Sequence, residues 1–106
     1  MGAHTARVRL ELARGRPDAA GDSAALALAV LSEQGGAVPF FRTDEVLWWC
    51  AQGLLAAGRD AGAVLSRAVE EVERRLAGLS PELQDSYRET AVAKGIRALA
   101  DAESRA

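Results

Sequence analysis

The chain has one cysteine, one histidine and one lysine in 106 residues, with three prolines and only 5% aromatic residues. A lone cysteine excludes an internal disulfide. The single histidine, His4, stands near a terminus without the helical partner that a metal site needs, so no metal is expected. No run of about 18 apolar residues is present, which argues against a helical membrane span. The N-terminus lacks the uninterrupted apolar core of a secretory signal, and a cytoplasmic location is expected. Neither acidic nor basic residues are in clear excess. The net charge is −2 and the pI about 5.4. Direct binding of nucleic acid demands a concentrated basic face and is not expected.

What the sequence has in quantity is alanine, the best helix former. Hydrophobic residues make up 49% of the chain, and nothing alternates with a strand period. The fold expected is all-α. At this length it is one domain, 1–106, able to bury roughly 60–70% of its unfolded surface. Twelve of the 13 basic residues are arginine. With the abundant alanine and glycine, that points to a high-GC bacterial genome.

The stretch from Thr43 to Asp60, TDEVLWWCAQGLLAAGRD, reads as a central helix apolar on nearly all sides. Thr43 suits the N-cap, and Asp44 and Glu45 place negative charge at the positive end of the helix dipole. Gly58 is a natural stop. Leu47, Cys50, Ala51, Leu54 and Leu55 form one buried stripe, and Val46, Trp49, Gly53 and Ala56 a second. Such a helix needs neighbours on at least two sides.

Around it the sequence predicts two helix pairs and a cap. The first pair spans 5–34, a short helix over Thr5–Arg14 and a second from Pro17 to Gln34. Gly21 and Asp22-Ser23 weaken the second helix's start, and Leu26, Val30 and Leu31 with Ala24 and Ala27 form its core. Residues 1–4 read as a native start or a tag remnant, with His4 disordered. Arg7, Arg9, Arg14 and Arg16 read as a solvated basic face. Ala37–Arg42 is a loop in which Phe40 and Phe41 act as a staple beside the next helix. The second pair spans 43–77. Its second helix, capped by Asp60, has a one-sided stripe of Leu65, Val69, Val72 and Leu76, then Leu79. Opposite the stripe, Glu70–Arg74 and Glu71–Arg75 are set for i,i+4 ion pairs. Capping helices cover 80–103, restarting at Ser80-Pro81-Glu82, with Leu83 and Tyr87 on one face and a break near Thr90–Ala93.

The turn signals repeat. LARGRPDAA at Leu12–Ala20 matches LAAGRDAGA at Leu55–Ala63, with Gly15 and Gly58 standing 43 residues apart. The chain resembles a tetratricopeptide-repeat-like array of antiparallel helical hairpins, about five or six helices, with an enlarged linking loop against the usual period of about 34. Small residues stand where paired helices would cross: Ala20 and Ala27, then Ala51 and Ala63. Glu70 and Arg67 depart from the pattern, which prefers alanine and an aromatic there, and the closing proline is missing. The tail ELQDSYRETAVAKGIRALA resembles the end of such regions in large bacterial transcriptional activators and signalling ATPases. The resemblance implies sensing, scaffolding or assembly rather than chemistry. In that family the first helix of each pair lines a concave groove, which by matching position puts Glu45, Trp48 and Gln52 on the groove, with Arg9 in the comparable place of the first unit.

No catalytic constellation stands out. Cys50 lies on a buried stripe without a histidine nearby in sequence, and GRDAGA lacks the lysine and spacing of a phosphate loop. Trp48 and Trp49 point about 100° apart on a helix, so Trp48 is expected at a groove and Trp49 in the core, the other reading being that both are core. The function expected is a non-enzymatic protein–protein interaction or scaffold module of a larger regulator, needing no cofactor. Its partner-binding residues are Glu45, Trp48, Gln52 and Arg9, and the partner is a protein segment or neighbouring domain. The alternatives are a self-association domain that forms a homodimer, and a small-molecule sensor.

Overall fold

The computed structural model describes residues 2–33 and 42–105. They form six helices: α1 (Gly2–Ala13), α2 (Pro17–Glu33), α3 (Thr43–Ala56), α4 (Gly62–Ala77), α5 (Pro81–Arg88) and α6 (Ala91–Arg105). Among the described residues there is no strand, and no helix is long and apolar enough to cross a membrane. The Phe40-Phe41 staple lies outside the described residues.

The element boundaries follow from local chemistry. Gly15 and Gly58 both take left-handed backbone, at φ 69° and 71°. In the first turn Arg16 N donates to Glu11 O at 2.8 Å, and in the second Arg59 N donates to Leu54 O at 2.9 Å. Gly15 N and Gly58 N likewise donate three residues back, to Leu12 O and Leu55 O. The two GR turns thus repeat bond for bond as glycine-ended helix caps. Pro81 opens α5 behind Ser80, whose extended backbone is that of an N-cap although its hydroxyl makes no cap bond. A break falls at Glu89–Thr90, where Thr90 Oγ1 accepts from Ala93 N at 3.3 Å and starts α6.

Several local readings shift. The residue before α3 is Arg42, and Thr43 is its first helical residue, because the first helical bond runs from Val46 N to Arg42 O. Ala61 rather than Asp60 precedes α4, with Asp60 Oδ1 accepting from Gly62 N at 2.9 Å. α1 begins at Gly2 and includes His4. Gly21 and Asp22-Ser23 lie inside α2 without breaking it. A Cβ at Gly21 would stand 2.5 Å from Ala57 Cβ, so the glycine permits close approach to the second GR turn.

α3 packs on α1, α2, α4 and α6, α1 packs on α2, and α4 on α6. α3 thus stands at the centre of the other helices, and α5 rests on α6. The Cα radius of gyration, 13.5 Å, is close to the roughly 13 Å of a rounded domain this size, so the helices close into one body. Leu31, Leu47, Ile96, Val8 and Cys50 are fully buried among these helices. In α2 the core stripe is Ala20, Ala24, Ala27 and Leu31, whereas Leu26 is 54% exposed. The small residues win the inner face because α2 lies close on α3: a Cβ at Gly53 would meet Ala20 O at 2.9 Å. Leu83 also points outward while Tyr87, one turn on, is buried. Arg75 pairs with Glu71, as the spacing predicts, but Arg74 pairs with Glu71 as well, leaving Glu70 without an ion pair among the described residues.

Candidate functional site

Although four helices surround α3, it keeps one strip partly open. Glu45, Trp48, Trp49, Gln52 and Leu55 are all half-buried, and they recur at the spacing of a single helical face. Three of these, Glu45, Trp48 and Gln52, are the α3 residues the sequence assigns to a groove. The division of the tryptophans into one groove and one core residue is not what the fold adopts. Both are half-buried, their ring centroids are 5.1 Å apart and the planes are tilted by 44°. Large indoles bend back toward each other across the 100° that separates their Cα–Cβ bonds.

Each ring reaches a different neighbour. Arg9, exposed on α1, holds its guanidinium carbon 4.9 Å from the centre of the Trp49 ring, a cation–π contact. Trp48 packs against Gly95 of α6, so close that a Cβ at that position would fall on the indole. The ledge runs from α1 through the two indoles to α6. One turn beyond, Gln52 Nε2 is enclosed and meets no hydrogen-bond partner among the described residues. An enclosed amide left in that state costs about 1–3 kcal/mol. At the other end Glu45 adds a partly open carboxylate.

Behind the ledge, at the start of α3, lies a polar cluster. Asp44 is fully buried, yet charged. Its carboxylate accepts from Arg42 Nη2 at 2.7 Å, from Tyr87 Oη at 2.8 Å and from Glu45 N at 2.9 Å. Arg75 Nε stands 3.5 Å from it and equally far from Glu71 Oε1. Burial alone would raise the Asp44 carboxyl. The hydrogen bonds from Arg42 and Tyr87, with the charges of Arg42 and Arg75, outweigh it and hold the group below its ordinary value. Burial and the bond to Asp44 push the Tyr87 phenol well above its ordinary range. The sequence shows Asp44 only as a helix-start acid, and nothing local marks its partner 43 residues on.

The remaining reactive groups lie apart. Cys50 is fully buried, and burial pushes its thiol up to about 12, which leaves it protonated and enclosed. Among the described residues no group of three or more metal-ligating side chains gathers. Compared with protein-family models, curated proteins and solved structures, the chain matches none.

Proposed function

We propose that the protein is a non-catalytic helical scaffold that binds a segment of a partner protein along the open strip of α3. One observation carries the reading. The central helix, surrounded by four others, leaves two touching indoles half-exposed between α1 and α6. Tryptophan and arginine are strongly enriched among interface hot spots, and Arg9 stacks on Trp49 of this pair. The polar ends suit a bound chain. The Gln52 amide can donate to a backbone carbonyl on a small outward turn, and Glu45 can take a basic side chain or an N–H. The bond-for-bond repetition of the two GR turns favours a repeat-like array, and the resemblance of the tail motivates a place for that array in a larger bacterial regulator.

The test is a display library of random peptides panned against the folded chain. The reading expects enriched peptides whose binding changes tryptophan emission and weakens about tenfold or more on Glu45→Ala or Gln52→Ala. Peptides that bind both variants as well as the parent, with unchanged emission, would refute it.

A further inference from the structure

The α3 strip carries hydrogen-bond donors that the protein itself leaves unused. The indole N–H groups of Trp48 and Trp49 meet no acceptor among the described residues, and neither does Gln52 Nε2. Gly95 brings no side chain against the N–H edge of Trp48. Arg9 forms no ion pair among the described residues; its guanidinium stacks on Trp49. Against these donors stands one acid, Glu45, a turn before the indoles and also without an ion pair among the described residues.

A surface of this kind selects a ligand whose backbone accepts and does not donate. A docked helix bonds its carbonyls internally except in its last turn. An extended strand brings an N–H for every carbonyl and pairs with a backbone edge, and the described residues contain no strand. A polyproline II segment differs from both. It has no internal hydrogen bonds, so its carbonyls stay open, and each proline lacks an N–H. Its rigid rings pack on aromatic faces, and its preformed backbone loses little entropy on docking.

The spacing agrees. Along α3, the midpoint of Trp48 and Trp49 lies about 10 Å from Leu55. Prolines three residues apart in a polyproline II helix repeat on one face every 9 Å or so, at roughly 3.1 Å per residue. Two such prolines meet the indole pair and Leu55 together, and the carbonyls between them pass Gln52. The strip from Glu45 to Leu55 is about 15 Å long and accommodates about five residues of such a chain.

We infer that the α3 strip binds a proline-rich segment of a partner protein in the polyproline II conformation. Prolines at i and i+3 cover the indoles and Leu55, and a lysine or arginine of the segment faces Glu45. The inference rests on the strip being the binding surface and names what binds there. The two indoles, Gln52 and Arg9 donate to the segment's carbonyls, Gln52 on its small outward turn.

The experiment follows both indole N–H signals and the tryptophan emission of the whole chain during titration with a synthetic peptide. The peptide has about nine residues, proline at every third position and one terminal arginine, and is made with the arginine first or last. A comparison peptide has alanine in place of each proline. The expected result is saturable binding of at least one proline peptide with both indole signals shifting. Binding should be about tenfold or more weaker for the alanine peptide, and likewise for the proline peptide on Gln52→Ala. Circular dichroism checks that this variant keeps its fold. Equal binding of the alanine peptide overturns the inference, as does a failure of both proline peptides to bind at about millimolar concentration. Panned random peptides separate the two levels. If they move the indole signals but carry no proline repeat, the strip binds another kind of segment and only the proline-rich assignment falls. If neither they nor the proline peptides move those signals, the strip is not the binding surface and both readings fall.

Discussion

Tyr87 Oη donates to Asp44 Oδ2 at 2.8 Å, joining two buried side chains 43 residues apart. The bond ties the start of the central helix to α5, an element of only eight residues with one buried side chain of its own. It also fixes Arg42 and Arg75 around one carboxylate. Removing the acid leaves those groups facing each other without it. Asp44→Ala is expected to destabilise the fold by roughly 3–5 kcal/mol, the loss typical when one member of a buried charge pair is deleted. Tyr87→Phe is expected to lose about 1–2 kcal/mol, since Arg42 still holds the carboxylate. Urea unfolding midpoints at constant slope measure both. Equal, near-zero effects would mean the cluster does not hold the helices together.

The same carboxylate sets an acid limit. Its folded pKa lies below the ordinary 3.8, so the unfolded chain takes the proton first as pH falls. The stability that Asp44 contributes is fully present above that ordinary value and is lost as pH drops from about 4 through the folded pKa. Asp44→Asn should flatten the acid limb of a stability–pH curve below about pH 4 while lowering the plateau.

Much of this architecture is legible in the sequence. The helical class and the positions of the turns follow from Gly15, Gly58, Gly78 and Ser80-Pro81, because backbone preference acts within a few residues. What escapes is set by tertiary approach. Gly21 reads as a weak point in α2, yet it is where the second GR turn presses on the helix. Leu26 outranks Ala24 in hydrophobicity but is exposed, because a close α2–α3 crossing favours small side chains inside. Asp44 carries the same local signal as any acid at a helix start; only the fold brings it to Tyr87. The α3 strip lies between these cases. Glu45, Trp48 and Gln52 share a face by simple periodicity, but the contacts of Trp48 with Gly95 and of Trp49 with Arg9 depend on where α6 and α1 come to rest.

Gly95 tests that packing. Alanine would gain about 1 kcal/mol in helix propensity at an unconstrained site. Here its methyl would displace the Trp48 indole. Gly95→Ala is expected to be net destabilising by about 1–2 kcal/mol, with overpacking exceeding the propensity gain, and to shift tryptophan emission to the red as the ring moves outward. A stabilised variant with unchanged emission would contradict the contact.

Cys50 should behave as an enclosed thiol. Its pKa, pushed up to about 12 by burial, exceeds the ordinary 9.0, so the unfolded chain loses its proton first as pH rises. The contribution is present below about pH 9 and fades above it, alongside that of Tyr87. Alkylation by iodoacetamide at pH 8 is expected only at the rate of unfolding, and to accelerate sharply in urea. Rapid labelling of the folded chain would show that the central helix is open on that side.

The most direct test of the α3 strip uses the fact that the chain holds only two tryptophans. Their indole N–H signals in a proton–nitrogen correlation spectrum report the ledge alone. On titration with a display-selected peptide, both indole signals should shift together with the Gln52 side-chain amide, and the shifts should saturate with binding. Saturable binding that moves backbone signals elsewhere and leaves all three side-chain signals in place would contradict the assignment of the strip as the binding surface.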